Sequence, residues 1–279
     1  MATLRSYTRS LNILRKALDA QDDDLTFLKD YEMVINWIEG SKYALNSKKT
    51  IYIAVVASIK SIDEYAEACL KYREKMDSLN KAVQTGYEAQ TLSVSETAKW
   101  LPWSEILKVV ETARLAIEDC WSLQEYLILA LYTMIPPVRL DYGSMMIVPV
   151  EPAKPVGNYL VLDSHPYFLF ADYKTFSTYG ILRNPIPPAL LKVIKEWIEF
   201  SDEYLLISKT EGGPLGDVAL GQLIISIFQK HCKKNIGVSI LRHSYISYLR
   251  AKEMPVRQSD KLAKQMMHSP KMSMIYRKL

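Results

Sequence analysis

A chain of 279 residues with 49% hydrophobic and 24% charged side chains has the composition of a folded globular protein, so a fully disordered chain is excluded. No run approaches the ~20 apolar residues that a membrane helix needs. Basic residues spread from Arg5 to Lys16 interrupt any signal-peptide core. We therefore expect an intracellular protein with no membrane partner. Three widely spaced cysteines predict neither a disulfide framework nor a Cys-rich zinc site.

The net charge of +4 is distributed unevenly along the chain. Residues 230–279 contain twelve Lys or Arg against only Glu253 and Asp260, whereas the rest of the chain contains 23 basic and 29 acidic side chains. Such asymmetry points toward a polyanion as partner. Solvated helix faces would give similar counts, so charge alone leaves both interpretations open.

The first part of the chain has a helical pattern. Apolar residues recur at helical spacing from Tyr7 to about Lys81, and we predict four helices there, separated by polar turns. Residues 83–99 are richer in Thr, Ser, Gln and Gly and poor in large apolar side chains, which indicates a linker. We place the domain boundary near residue 94, with an all-helical first domain over residues 1–94.

The second domain, residues 95–279, is predicted to be mainly helical with one small antiparallel sheet. Ser104 is the expected N-cap of an amphipathic helix that runs through Ile117, and the almost wholly apolar helix over 121–134 should be buried. A double proline, Pro136 and Pro137, must end that helix. Four short β-prone runs follow, at 145–150, 159–162, 167–171 and 179–182. Helical patterns return at 188–200, 215–232, 239–251 and 256–267.

Several polar residues of the second domain have the types needed to break a phosphodiester bond. That reaction requires a nucleophile, cations around the developing negative charge and an acid for the leaving oxygen. Arg139 follows the double proline, and Arg242 lies early in a predicted helix, where N-terminal amides add to a positive field. Either arginine alone is more often a surface ion pair. The ordered series Arg139, Lys174, Arg242, His268 and Tyr276 is the informative feature.

Four segments carry a resemblance to the active-site boxes of tyrosine recombinases. They read PPVRLDYGSM at 136–145, DYKTFSTYG at 172–180, ILRHSYISYLR at 240–250 and MMHSPKMSMIY at 266–276, in the order that the family uses. The first and third resemble the recombinases of large eukaryotic DNA viruses, virophages and related mobile elements more than those of bacteria and phages. The resemblance therefore implies a viral or mobile-element protein, acting in the host nucleus or in a cytoplasmic viral factory.

The resemblance implies a role for each box residue. Arg139 and Arg242 would bind nonbridging oxygens of the scissile phosphate, and Lys174 would protonate the leaving 5′ oxygen. His268 would hydrogen-bond the phosphate, and Tyr276 would be the nucleophile that forms a 3′-phosphotyrosyl bond. The implied reaction needs no metal, nucleotide or other cofactor.

The sequence departs from the family pattern at one catalytic position. Three residues before Arg242, where the family usually has histidine, stands Ser239. A serine hydroxyl can hydrogen-bond a phosphate but is not a base near neutral pH. Proton removal from Tyr276 could therefore be slower or fall to another group. We also interpret Asp141 as a residue that orients the first arginine.

The first domain resembles, more loosely, the core-binding domain that closes over DNA opposite the catalytic domain. Its basic and acidic residues are equal in number through residue 94, at 13 each. Any DNA contact must then come from a locally basic face, for which Lys42, Lys48 and Lys49 are candidates; Lys271 is a further candidate in the second domain. The partners implied are double-stranded DNA and further copies of the chain, as a tetramer at synapsis. A protein-interaction module is the alternative for this domain.

Two other functions share the same residues. A type IB topoisomerase uses the same residue types but relaxes supercoils as a monomer, which a relaxation assay would separate. A DNA-binding protein of the same fold with impaired catalysis is the second alternative, and Ser239 is the feature that favours it.

Overall fold

The computed structural model describes residues 2–20, 25–251 and 256–267. The chain divides into two compact units, Met1–Ala89 and Gln90–Leu279. No helix in the described part of the chain is long and apolar enough to cross a membrane.

The first unit is a bundle of helices. Its α-helices are α1 (Ala2–Ala17), α2 (Tyr31–Gly40), α3 (Leu45–Ile59) and α4 (Ala66–Glu88), with single 3₁₀ turns at Thr26–Lys29 and Asp63–Tyr65. These are the four helices that apolar spacing predicted. Two buried tyrosines join them: the Tyr72 hydroxyl donates to the Leu28 carbonyl at 2.9 Å, and the Tyr52 hydroxyl donates to Glu39 Oε1 at 2.8 Å.

The segment that composition indicated as a linker is largely helical. Helix α4 continues to Glu88, and α5 spans Val94–Lys99. The polar residues that suggested a linker stabilise these helices instead: the Gln84 amide donates to Glu88 one turn later, and Ser93 and Glu96 form a reciprocal capping box. Composition did not indicate these helices because Ser, Thr and Gln suit helix ends and exposed faces as well as loops.

The second unit contains the remaining helices, packed around one large core. They are α6 (Trp103–Leu115), α7 (Cys120–Thr133), α8 (Phe176–Tyr179), α9 (Pro188–Trp197), α10 (Asp217–Cys232), α11 (Val238–Arg250) and α12 (Val256–Gln265). Nine of the fourteen residues of α7 are buried, which confirms the prediction of a buried helix. Ser104 is not the N-cap of α6, because the helix already begins at Trp103, whose buried ring packs edge-on against Tyr245 at 4.9 Å.

The sheet has four strands in sequential order, β1 (Met146–Val148), β2 (Asn158–Val161), β3 (Tyr167–Phe170) and β4 (Leu182–Pro185). It is mixed rather than antiparallel, since β1 pairs with β2 in parallel and only the other pairs are antiparallel. The connection over 149–157 contains three prolines and a glycine, so it forms no hairpin and returns the chain to the same end of the sheet. The fourth strand also begins later than expected, because α8 takes residues 176–179 and Gly180 turns the chain at a φ of +62°.

Candidate active site

A cavity of about 670 Å³ in the second unit collects the ends of several elements. Its walls come from the turn after α7, the start of β2, the β3–β4 connection and the first turns of α10 and α11: Arg139, Leu140, Asp141, Ser144, Gly157, Asn158, Asp172, Tyr173, Lys174, Asp217, Val238, Ser239 and Arg242. The cavity therefore brings together Arg139, Lys174, Ser239 and Arg242, four of the six residues expected from the sequence to be catalytic. The other two, His268 and Tyr276, lie outside the described residues, as does Lys271.

Arg139 is fixed to the core through its backbone. The hydroxyl of fully buried Tyr132 in α7 donates to the Arg139 carbonyl at 2.6 Å, and the Arg139 amide donates to Asp141 Oδ2 at 3.1 Å. Burial raises the pKa of Tyr132 well above its ordinary value, so this phenol remains a donor. The Arg139 guanidinium donates through Nη1 to the Met267 carbonyl at 3.2 Å. Its position is thus set by the buried end of α7 and by the end of α12.

Arg242 is built into the interior, with only 1% of its surface exposed. Its Nη1 donates to the carbonyls of Pro137 at 2.9 Å and Met266 at 3.1 Å. Helix α11 begins after Gly237, so Ser239 and Arg242 lie one turn apart and both line the cavity. Buried main-chain oxygens are good acceptors for a guanidinium, which retains its charge in the interior.

Lys174 lies in the β3–β4 connection and is exposed. The side-chain amide of Asn158 fixes the start of this connection: its Oδ1 accepts from the amides of Ala171 at 3.1 Å and Asp172 at 3.0 Å, and its Nδ2 donates to the Asp172 carbonyl at 2.8 Å. The same Nδ2 donates to the Asp141 carbonyl at 3.0 Å. Asn158 therefore links two segments of the cavity wall. One is the β3–β4 connection over 171–181, which we call the lysine connection, and the other is the turn over 139–143, which we call the arginine turn. Sequence reasoning missed it, because an Asn before a β-prone run is typical of any turn.

Three carboxylates line the cavity beside the cations: Asp141, Asp172 and Asp217. Burial raises the pKa of Asp141 and outweighs the opposite effect of the Arg139 charge. Burial and the neighbouring Asp172 raise the pKa of Asp217. Across the residues that the structure describes, no three His, Cys, Asp or Glu side chains are placed to hold a metal ion.

The arginine turn presses closely on the start of α10. A Cβ atom on Gly143 would lie 2.6 Å from the Asp217 nitrogen and 2.6 Å from the Gly216 carbonyl carbon, so only glycine fits there. The Gly143 carbonyl also accepts from the Gly216 amide at 2.7 Å. This contact brings Asp217 to the cavity wall.

The end of α12 is held by side chains from several segments around the cavity. The Met267 carbonyl accepts from Thr175 Oγ1 at 3.0 Å as well as from Arg139, and the Gln265 carbonyl accepts from Asn184 Nδ2 at 3.3 Å. Sequence reasoning missed Thr175 and Asn184. Their partners are main-chain atoms 92 and 81 residues away, and only the adjacency of Thr175 to Lys174 could have suggested one of them.

The lysines expected to contact DNA in the first unit differ in environment. Lys42 is exposed and Lys49 is partly exposed. Lys48 is only 9% exposed, and its ammonium donates to the Glu39 carbonyl at 2.6 Å near the end of α2. The structure therefore gives Lys48 a helix-capping position, which removes it from the candidate DNA contacts.

No protein-family model matches the sequence, and no curated protein matches it either. Three solved structures are similar to the chain over nearly its whole length. XerA recombinase shares 15% identity, with a TM-score of 0.47, over 100% of this chain and 87% of that one. The Tn1549 transposon integrase, in complex with transposon right end DNA, shares 13% identity, with a TM-score of 0.49, over 99% of this chain and 89% of that one.

A lambda integrase dimer bound to a COC′ core site shares 15% identity, with a TM-score of 0.43, over 96% of this chain and 76% of that one. The closer placement among recombinases of large DNA viruses stays a prediction. These three structures are of recombinases or integrases.

Proposed function

We propose that this protein is a site-specific DNA recombinase or integrase that cleaves and rejoins DNA through a 3′-phosphotyrosyl intermediate. The observation that carries the proposal is the convergence of Arg139, Lys174, Ser239 and Arg242 on one cavity. These residues come from segments far apart in the sequence. They supply two permanent cations, a proton donor and a hydroxyl within one site.

The two arginines and α11 form the phosphate-binding part of the proposed site. Arg242 is held in the interior by main-chain carbonyls, and Arg139 is held by the end of α7. The first turn of α11, with Val238 and Ser239 on the cavity wall, adds the partial positive charge of a helix N-terminus. Positive groups that are fixed before the substrate arrives stabilise the developing charge at phosphorus without further reorganisation.

The proposed reaction is a pair of transesterifications. Tyr276 reacts as the phenolate after its proton passes to solvent; its oxygen bonds to phosphorus and the bond from phosphorus to the 5′ oxygen breaks, while Lys174 donates a proton to that oxygen. The Ser239 hydroxyl and His268 hydrogen-bond the phosphate. The 5′-hydroxyl of a partner strand then attacks the tyrosyl phosphate, restores a phosphodiester and returns a proton to Lys174. Tyr276 leaves as the phenolate and regains its proton from solvent. One phosphodiester is exchanged for another, so the overall reaction is nearly isoenergetic.

The first unit provides a second DNA-contacting surface in this proposal. Exposed Lys42 and partly exposed Lys49 are its candidate phosphate contacts, with Lys271 as a candidate in the second unit. Contacts of this kind position the protein on the duplex and carry no sequence information. Strand exchange would take place in a tetramer that assembles on two DNA duplexes.

Covalent trapping tests the proposal. Wild-type protein and Tyr276→Phe are incubated with nicked suicide duplexes that tile the DNA around the gene, and binding is measured in parallel by gel shift. We expect a denaturation-resistant adduct with wild type and none with Tyr276→Phe, at equal DNA binding. DNA that binds without forming an adduct would contradict the proposed cleavage.

A second candidate, a DNA-binding protein with impaired catalysis, is favoured by the presence of Ser239 on the cavity wall. The variant Ser239→His separates the two, because it supplies the imidazole that the family usually has there. An impaired protein would gain adduct formation only in this variant. Relaxation of supercoiled plasmid without exchange of strands between duplexes would instead indicate a type IB topoisomerase.

A further inference from the structure

The β3–β4 connection, which contains Lys174, is also hydrogen-bonded to the end of helix α12. Thr175, the residue after Lys174, donates its hydroxyl to the Met267 carbonyl at 3.0 Å, and Asn184 in β4 donates to the Gln265 carbonyl at 3.3 Å. Arg139 donates to the same Met267 carbonyl at 3.2 Å. One main-chain oxygen therefore joins the lysine connection, the arginine turn and the end of α12.

These bonds fall where a helix needs them. The last carbonyls of a helix have no partner within it, so they must be satisfied by other groups. Met267, two residues after the last residue of α12, turns the chain in the left-handed region at a φ of +58°, which is unfavourable for a residue with a side chain. Its side chain is fully buried. The burial and the side-chain donors together hold this conformation.

We infer that Thr175 is a positioning residue for the nucleophile: its hydroxyl fixes the end of α12, from which the segment with His268 and Tyr276 continues. The inference rests on the proposed function. Whether loss of the Thr175 hydrogen bond loosens the end of α12 or the lysine connection depends on the other contacts that hold each of them. The lysine connection is independently fixed by Asn158 and by the Tyr173 hydroxyl, which donates to the Gly180 carbonyl at 2.6 Å. The carbonyls at the end of α12 instead depend on side-chain donors from Thr175 and Asn184 and from the two arginines. Losing the Thr175 donor therefore weakens the hold on this end of the chain more than it loosens the connection.

The variant Thr175→Val tests this role, because valine keeps the shape of threonine and removes the donor. We expect adduct formation about tenfold slower, equivalent to about 1.4 kcal/mol in activation free energy, with unchanged DNA affinity. Thr175→Ser restores the hydroxyl and should restore the rate. Thr178→Val is the matched control, since Thr178 is exposed in α8 of the same connection. Asn184→Ala, which removes a further donor to the end of α12, should also slow the reaction.

A modified substrate distinguishes positioning of the nucleophile from positioning of the acid. A duplex with a 5′-bridging phosphorothiolate releases a thiolate, which needs no proton from Lys174. Lys174→Ala should therefore recover its rate on this substrate, whereas Thr175→Val should remain slow on it. Recovery of Thr175→Val would show that Thr175 acts through the acid and would overturn the inference, as would a wild-type rate on ordinary DNA. Failure of the wild-type protein to form any adduct would instead count against the proposed function.

Discussion

The two sides of the cavity are built in different ways. On the arginine side, Arg242 is almost fully buried against main-chain carbonyls, and the backbone of Arg139 is tied to buried Tyr132. On the lysine side, Lys174 is exposed in a connection that Asn158 fixes at its start. The difference follows from the chemistry of the two cations. A guanidinium keeps its charge in the interior, whereas a buried ammonium tends to lose its proton, so a lysine that must donate a proton is better kept near solvent.

The largest expected effect of breaking this contrast is at Arg242. Arg242→Ala removes buried packing and leaves the carbonyls of Pro137 and Met266 without this donor, so we expect a loss of about 3 kcal/mol in the free energy of unfolding. Lys174→Ala should leave the free energy of unfolding within about 0.5 kcal/mol of wild type, because its side chain is exposed. Urea unfolding measures both. Equal destabilisation by the two variants would remove the contrast between the sides.

The next effect is expected at Asn158, which links the two sides. Asn158→Ala loses four hydrogen bonds, and we expect it to cost about 2 kcal/mol in the free energy of unfolding and to loosen the lysine connection. Hydrogen exchange should then speed up at the amides of Ala171 and Asp172. Asn158→Asp is the matched variant, since it keeps the two accepted bonds and loses the two donated ones. Unchanged protection of both amides in Asn158→Ala would show that Asn158 is not the link.

A similar cost is expected at Gly143, where the arginine turn meets α10. Gly143→Ala would place a Cβ 2.6 Å from backbone atoms that cannot move independently, so we expect it to destabilise the protein by about 2 kcal/mol. The control is Gly86→Ala in α4, where nothing lies within 4 Å of an added Cβ; it should stabilise by about 0.5–1 kcal/mol. Thermal unfolding distinguishes the two variants, because one should lower the melting temperature and the other should raise it. A neutral Gly143→Ala would mean that the arginine turn is less rigid than its contacts indicate.

The smallest effect concerns the pH dependence of Asp141. Its pKa is raised in the folded protein, so the stabilisation it contributes is fully present below the ordinary value of 3.8 and is lost as pH rises through the folded pKa. Asp141→Asn keeps an oxygen that can accept from the Arg139 amide and removes the titration. Relative to wild type, this variant should therefore gain stability as pH rises above 3.8, which unfolding curves across the acid range would show. A constant difference at all pH values would contradict the raised pKa.

The parts of the structure that the sequence could predict are those with local causes. Helical apolar spacing predicted the four helices of the first unit, and continuous apolar sequence predicted buried α7. The box residues Arg139, Lys174 and Arg242 do line one cavity, whereas the placement of His268 and Tyr276 stays a prediction. Arg139 follows the double proline after α7, and Arg242 lies near the start of α11. The local sequence pattern predicted both of these positions.

The parts that could not be predicted depend on contacts between distant segments. The parallel pairing of β1 with β2 depends on the path of a long proline-containing connection. Thr175 and Asn158 hydrogen-bond main-chain atoms elsewhere in the fold, and the residue type alone does not predict such partners. Lys48 was a candidate DNA contact from the sequence, but its ammonium is turned to the Glu39 carbonyl near the end of α2. The helices within the predicted linker were missed for a related reason, since polar residues also suit exposed helix faces.

The most direct test of the account is to identify the residue that becomes joined to DNA. Wild-type protein is trapped on a nicked suicide duplex, the adduct is digested with nuclease and trypsin, and the phosphorylated peptide is sequenced by mass spectrometry. The account predicts phosphate on Tyr276, within the tryptic peptide of residues 272–277. Phosphate on Ser273 of the same peptide, on Ser239 or on any other residue would contradict it.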